Sequence, residues 1–468
     1  MSKFFLDQHG CAKNQVDGET MLVYLENAGH AETRDPSEAD VIIINTCGFI
    51  EAAKKESLAA LMQARKAYPD AKILFAGCLA QRYARVFDSE LAEADGILGN
   101  GDLSAVAEAV SAVLAGKRPV IRVPVSAESA SAESAAPRAR LLSLPGSAYV
   151  KISEGCDNRC SFCAIPHIRG KLRSRSAESV VGEIRTLLSR SVFEINLVGQ
   201  DVAAFGTDRA AAPASGISPL TALVSRISEL TGDFWLRLLY IHPDRFPPDL
   251  LDAVAADRRV LPYFDIPFQS GDDRVIRAMN RRGSRAGYAR LVGAIRERLP
   301  EAAFRTTFLA GFPGETEDEA AHTRDFLRDV APDWSGVFEY SREEDTPAAS
   351  MKPQVPKKTA AARAAELIEV QEEITREKLA ARVGSEYDVL VEEVIEGDEG
   401  YALGRAWFQA PEVDGVVVVR YDRLDGQAER AVKPGEMVRV KITESPAPSL
   451  SGNLALAPRS VQPNVRVS

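Results

Sequence analysis

Three cysteines on one short loop are the residues best suited to do chemistry. Gly155–Cys163 reads Gly-Cys-Asp-Asn-Arg-Cys-Ser-Phe-Cys, so Cys156, Cys160 and Cys163 stand in a C-x3-C-x2-C spacing. Three thiolates on such a loop can hold three irons of a cubane [4Fe–4S] cluster and leave the fourth iron open to a further ligand. Structural zinc, the competing reading, needs four ligands, and no fourth Cys or His follows at zinc-finger spacing. The other three of the six cysteines, Cys11, Cys47 and Cys78, come earlier in the chain. Two groups of three is the count for two clusters with one open iron each. Three disulfides would use the same number, but thiols stay reduced in a cytosol and a long chain does not need staples.

The early cysteines need elements that bring them together. Val41-Ile-Ile-Ile-Asn-Thr-Cys47 is a β-branched run ending at a cysteine, Lys72-Ile-Leu-Phe-Ala-Gly-Cys78 repeats the design, and Lys3–Cys11 is a looser version. Helical stretches at Asp17–Ala28, Glu51–Ala67 and Leu103–Leu114 follow these runs. The βαβα order predicts a doubly wound parallel sheet over residues 1–118. Ligands of such sheets sit beyond the strands' carboxyl ends, which is where all three cysteines fall. Gly10, Gly48 and Gly77 flank them and suit tight turns around a bulky inorganic group. One such cysteine would read as a small buried hydrophobe; three in matching places point to a shared ligand.

Residues 119–145 lose the pattern, and Ser126–Ala136, nearly all Ala, Ser and Glu, reads as a linker. From 146 to 355, six strand-like runs alternate with helical stretches: Ala148–Ser153, Glu194–Gln200, Trp235–Tyr240, Tyr263–Gln269, Phe304–Ala310 and Gly336–Ser341. Six βα units predict an open (β/α)6 partial TIM barrel, with chemistry at the strands' C-terminal ends. There the Cys156 loop and Gln200-Asp201 both lie. Residues 356–384 read as a connecting helix, and 385–450 as a small antiparallel β-barrel with turn signals at Gly397, Asp414-Gly415, Asp425-Gly426 and Pro434-Gly435. The tail, 451–468, has no strong pattern. The net charge of −10 argues against a protein that coats nucleic acid non-specifically. With no apolar leader and no run of 18 apolar residues, the expected compartment is the cytoplasm.

Taken together, these motifs resemble the methylthiotransferases of the radical S-adenosylmethionine (SAM) class over nearly the whole chain. The family's cysteine motifs are matched by Gly10-Cys-Ala-Lys-Asn-Gln-Val-Asp17, Asn45-Thr-Cys-Gly-Phe-Ile50 and Gly77-Cys-Leu79. Its core motifs are matched by Lys151-Ile-Ser-Glu-Gly-Cys156, Asp265-Ile-Pro-Phe-Gln269 and Gly311-Phe-Pro-Gly-Glu-Thr316. The resemblance implies an N-terminal cluster domain, a radical SAM core and a C-terminal, OB-like TRAM barrel. Within the family, Gly10-Cys-Ala-Lys-Asn14, Asp265-Ile-Pro267 and Glu412-Val-Asp-Gly415 resemble the branch that methylthiolates the β-carbon of an aspartate in the twelfth protein of the small ribosomal subunit. Gln269-Ser-Gly271 is instead similar to the branch that modifies C2 of a tRNA adenosine, and Ala12 and Gly18 depart from residues usual in the ribosomal branch.

The resemblance implies two [4Fe–4S] clusters and SAM as cofactors. Cys156, Cys160 and Cys163 would hold the SAM-binding cluster, whose reduction yields a 5′-deoxyadenosyl radical. Cys11, Cys47 and Cys78 would hold the cluster that carries the sulfide to be methylated. No catalytic residue beyond these ligands is assigned. Candidate SAM contacts are Phe162, Gln200, Asp201, Gly311 with Gly314, and one of Arg237 and Arg305, the other forming a structural ion pair. His242 is a weaker candidate on the substrate side, and His9 reads as structural. Expected partners are the ribosomal protein, an electron donor such as flavodoxin or ferredoxin, and a sulfur donor, with no membrane and no direct nucleic-acid substrate. Residues 385–445 hold 14 acidic and 7 basic side chains, a net of −7, which suits a basic protein better than RNA. The alternatives are the tRNA enzyme, a non-catalytic Fe–S protein and a zinc-stabilised nucleic-acid binder.

Overall fold

A computed structural model describes residues 2–121, 138, 140–209, 216–395, 400–421 and 432–454. The expected linker Ser126–Ala136, the turns at Gly397 and Asp425-Gly426, and the tail from 455 on lie outside the described residues.

The N-terminal domain is a six-stranded, all-parallel sheet. Its strands are β1 (Lys3–Gln8), β2 (Ala31–Glu32), β3 (Val41–Thr46), β4 (Lys72–Gly77), β5 (Gly96–Gly99) and β6 (Val120–Ile121), in the order β2-β1-β3-β4-β5-β6. The β-branched runs form its fully buried centre because helices cover both faces. Val41, Ile43 and Leu74 pack against helices α1 (Ala12–Asn27) and α4 (Val106–Leu114). Ile42, Ile44, Ile73 and Phe75 pack against α2 (Glu51–Ala67) and α3 (Cys78–Glu90). The period-two alternation of a strand thus serves two cores. Strand β6 carries the sheet past residue 118, the expected end of this domain.

The central domain is the expected open barrel. β7 (Ser147–Lys151) is followed by the short ribbon of β8 (Ser153–Glu154) and β9 (Arg173–Ser174). β10 (Glu194–Val198), β11 (Trp235–Leu238), β12 (Val260–Asp265), β13 (Ala303–Ala310) and β14 (Trp334–Glu339) complete one parallel sheet in the order β14-β13-β12-β11-β10-β7. β12 begins at Val260 and ends at Asp265, earlier than the run Tyr263–Gln269 read from sequence, because Ile266-Pro267 interrupts the ladder. Among the helices outside the sheet are α5 (Ile165–Arg169) and α6 (Ala177–Ser189).

A helix over Lys357–Ala380 leads to a closed five-stranded barrel, β15 (Glu386–Val394), β16 (Tyr401–Ala406), β17 (Val417–Arg420), β18 (Met437–Glu444) and β19 (Leu450–Leu454), ordered β15-β16-β17-β19-β18. The boundary expected at 450 falls inside the barrel: β19 pairs with both β17 and β18 and closes it. Inward-facing residues of the central strands meet this terminal barrel. Glu194 of β10 accepts from Arg237 of β11 and from Arg405 of β16, and all three are buried. Tyr263 donates to Asp414 (2.6 Å) and Trp334 Nε1 to the carbonyl of Phe408 (2.9 Å). No helix among the described residues is long and apolar enough to cross a membrane.

Candidate functional site

The first cysteine triplet is assembled by the sheet's C-terminal edge. Cys11 N-caps α1, Cys78 is the first residue of α3, and Cys47 follows β3, so two helix N-termini face the site and favour anionic ligands there. Glycine lets the three turns close up. A Cβ on Gly10 would stand 3.0 Å from Cys47 Cβ. One on Gly48 would stand 2.8 Å from the Leu79 Cα. Gly77, at φ +95°, is pressed against Asn45 and Thr46 and admits no side chain. Asn14 ties the turns together: its amide donates to the carbonyls of His9 (2.7 Å) and Thr46 (3.2 Å), and its Oδ1 lies 3.7 Å from Cys78 Sγ. Thr46 Oγ1 accepts the N–H of Leu79 and Ser57 Oγ accepts that of Cys47.

The second triplet lies on the loop after β7 and β8. Gly155, at φ +74°, lets the chain pass against Lys171, whose carbonyl would be 2.0 Å from a Cβ there. The loop is anchored by Cys156 N–H to the Gly170 carbonyl (3.1 Å) and by Ser161, whose N–H and hydroxyl donate to Met279 and Ala278 carbonyls. Asn158 donates to Asp201 (2.8 Å) and accepts from Arg245 (3.0 Å).

Helix α5 leads from this loop back to the first triplet. Its last residue, Arg169, directs Nη2 to Cys78 Sγ (3.1 Å) and to Asp17 of α1 (2.9 Å), and Nη1 to Glu154 (2.8 Å). Lys151 pairs with the same two carboxylates, Asp17 and Glu154. Two cations and two anions, all buried, thus compensate one another between the two triplets. Burial pushes the thiol of Cys78 up to about 12, against the pull of Arg169, and pushes Cys163 to about 12 and Cys156 to about 11. Cys11 is exposed; desolvation by the surrounding chain opposes its ionisation, but Lys13 and Arg169 outweigh it and draw that thiol below its usual value.

The residues present fit two clusters and SAM. Among the described residues, no three of His, Cys, Asp and Glu converge on one point as a single metal ion requires. A cubane instead takes one thiolate on each of three irons. Beside the Cys156 loop, Ser153 Oγ and Gln200 Oε1 are buried without a hydrogen-bond partner, two polar atoms that a bound zwitterion can satisfy.

The structure separates the other sequence candidates. Gln200 sits at the loop, 3.5 Å from Glu154. Both Asp201 oxygens are engaged, one with Asn158, the other with the N–H groups of His242 and Ala203, so this carboxylate braces the loop. Arg237 and Arg305 are not at the loop. Arg237 pairs with Glu194 and donates to Trp407 O, and Arg305 pairs with Asp414 (2.7 Å), so both bind the terminal barrel. Where a SAM or substrate contact was expected for one of them, both arginines have structural partners: Arg237 makes its ion pair within the central domain and reaches the terminal barrel through a carbonyl, and the ion pair of Arg305 crosses to the terminal barrel. Gly311 has φ +77°, and a Cβ there would meet Ala360 at 2.3 Å, so packing against that helix by itself requires glycine. Phe162 packs with Val275, Met279 and Phe312 in a small satellite core. His242 Nε2 lies 3.9 Å from Cys160 Sγ, and His9 is paired with Asp7 and Glu56. In Gln269-Ser-Gly271, a Cβ at Gly271 would strike Phe326 at 2.3 Å and Ser270 meets Thr323, so local packing accounts for Ser270 and Gly271.

Asn14, Asp17, Lys151 and Glu154 were inside quoted motifs, yet their roles had no mark of their own. Arg169 had no signal at all.

Comparison with known proteins agrees with this architecture. Residues 3–99 match the uncharacterized protein family UPF0004, 150–327 the radical SAM superfamily and 383–454 the TRAM domain. A ribosomal protein uS12 methylthiotransferase RimO from Treponema denticola is 48% identical over 461 residues, covering 93% of this chain and 97% of that protein. Those from Symbiobacterium thermophilum and Syntrophotalea carbinolica are 40% and 41% identical, with 93% and 95% of this chain covered and 87% and 95% of theirs. Among solved structures, the radical SAM methyltransferase TsrM from Kitasatospora setae, with cobalamin and a [4Fe–4S] cluster bound, matches with a TM-score of 0.53 at 16% identity, over 78% of this chain and 84% of that one, a likeness of fold. By sequence over nearly its full length, and by the three domains in their order, the chain belongs to the RimO family of ribosomal protein uS12 methylthiotransferases.

Proposed function

We propose that the chain inserts a methylthio group at the β-carbon of an aspartate in ribosomal protein uS12, using two [4Fe–4S] clusters and SAM. The observation that carries this reading is the convergence of two separate cysteine triplets at the C-terminal ends of two sheets, bridged by Arg169. Cys156, Cys160 and Cys163 hold one cluster, and Cys11, Cys47 and Cys78 the other. When bound, these groups supply hydrogen abstraction from an unactivated carbon and the sulfur and methyl group that replace the hydrogen. The chain's own residues orient and shield. Gln200 and Ser153 offer free polar atoms to SAM, Asn14 and Arg169 hold the first site's turns in place, and the terminal barrel packs against the central one through Glu194, Tyr263 and Trp334.

The acidic terminal barrel supports a basic protein as substrate, and the packing roles of Ser270 and Gly271 weaken the feature that favoured tRNA. An electron donor of the flavodoxin or ferredoxin type and a source of sulfide complete the reaction. The test uses anaerobically reconstituted protein, reductant, SAM and sulfide, with uS12 and tRNA offered separately. Mass spectrometry of uS12 should show a gain of about 46 Da on one aspartate, one hydrogen replaced by SCH3. A gain on tRNA alone, or uncleaved SAM with iron present, would overturn the reading.

A further inference from the structure

We infer that Lys13 reads the carboxylate of the substrate's aspartate and so sets which side chain is presented for reaction; this rests on the function proposed above. Lys13 lies two residues beyond Cys11, in the first turn of α1, and is only 8% exposed. Its ammonium stands 3.3 Å from the centroid of the Tyr240 ring, and among the described residues no hydrogen bond or ion pair reaches it. Every other buried lysine or arginine among them has a carboxylate or carbonyl acceptor: Lys151, Arg169 and Arg237 have carboxylates, and Arg173 and Arg281 have carbonyls. The Cys11 thiol and the Asp265 carboxylate attract this ammonium without hydrogen-bonding to it, so a buried cation over a ring keeps N–H groups that an anion can take.

Tyr240 places this ammonium at the mouth of the central barrel. Tyr240 follows β11 in a left-handed conformation, φ +67°, that its hydrogen bonds enforce: its N–H donates to Asp265 Oδ2 (3.0 Å) and its carbonyl accepts from Val202. Asp265 attracts Lys13, but its oxygens are directed to other partners. One of its oxygens takes the Tyr240 N–H, and the other faces Arg305 at 4.0 Å. Arg305 continues to Asp414 of the terminal barrel. The three motifs that resemble the ribosomal branch, from three domains, therefore meet in one line: Lys13, Asp265 and Asp414, joined through Tyr240 and Arg305. An aspartate carboxylate bonded to Lys13 leaves its β-carbon one bond away, beside the Cys11 site. An adenine base has no such group, and asparagine lacks the charge.

The test measures binding of reconstituted full-length protein to uS12 and to uS12 whose target aspartate is changed to asparagine, with iron and sulfide counted in each preparation. The wild type should prefer the aspartate form by roughly tenfold to a hundredfold, the range for a charge-assisted bond. Lys13→Met should bind both forms equally with iron and sulfide unchanged, and Lys13→Arg should keep the preference. A Lys13→Met protein that still prefers aspartate overturns the inference. So does one that loses half its iron, since the lysine would then serve as counter-charge to the cluster. If the wild type neither binds nor modifies uS12, the proposed function itself fails, and that arm needs no variant.

Discussion

At the scale of single residues, Arg169 does the most to join the two cysteine triplets. It contacts a thiol of one, ends the short helix that follows the other, and neutralises two buried carboxylates on the way. Removing it leaves Asp17 and Glu154 to share Lys151 alone. Arg169→Met should lower unfolding stability by about 3 kcal/mol, the cost of breaking a buried charge group by deleting one partner. Thermal or denaturant unfolding of the cluster-free protein checks this, and a loss below 1 kcal/mol would show the network to be dispensable. The cysteines themselves were legible because their spacing is a coordination pattern. Arg237 and Arg305 were misplaced because a charge inside a strand announces that it needs a partner, not where in the chain that partner lies. Here the partners, Glu194 and Asp414, are 43 and 109 residues away.

At the scale of elements, the turns after β4 and β8 decide whether each site forms. Gly77→Ala puts a Cβ 2.5 Å from Asn45 Oδ1, and Gly155→Ala puts one 2.0 Å from the Lys171 carbonyl, both at positive φ. Gly77→Ala should lose the iron of the first site yet still cleave SAM, whereas Gly155→Ala should lose SAM cleavage. The opposite pairing would reverse the assignment of the two sites. Helix reading from sequence shows the same division between local and tertiary causes. The helices Ala177–Ser189 and Arg285–Arg298 start where local sequence says they should, because a serine cap, Ser176 or Ser284, marks each start. Helix α1 begins at Ala12, five residues before the expected Asp17. Lys13, Asn14 and Gln15 are polar yet buried, so no apolar stripe marks that turn. It is buried by the cluster site and the central barrel, which periodicity does not record.

At the scale of the molecule, the terminal barrel is locked to the central one by charge. Burial works to raise the Glu194 carboxyl, but Arg405 and Arg237 outweigh it and hold it at about 2, below the usual 4.5. A carboxyl depressed on folding contributes stability in full above the unfolded value and loses it as pH falls from about 4.5 towards 2. The contribution is on the order of 3 kcal/mol. Glu194→Ala should cost about 3 kcal/mol or more near neutral pH, because two arginines are left facing each other in a buried site, and should flatten the acid limb of the stability profile. Scanning unfolding against pH for both proteins checks the sign; an unchanged acid limb would contradict it.

The whole account stands on two clusters with separate cysteine ligands. The most direct measurement is iron and acid-labile sulfide in three anaerobically reconstituted proteins: wild type, the Cys11/Cys47/Cys78→Ala triple variant and the Cys156/Cys160/Cys163→Ala triple variant. The wild type should hold about eight irons and each variant about four, with SAM cleavage kept by the first variant and lost by the second. About four irons in the wild type, or zinc in place of iron, would contradict it.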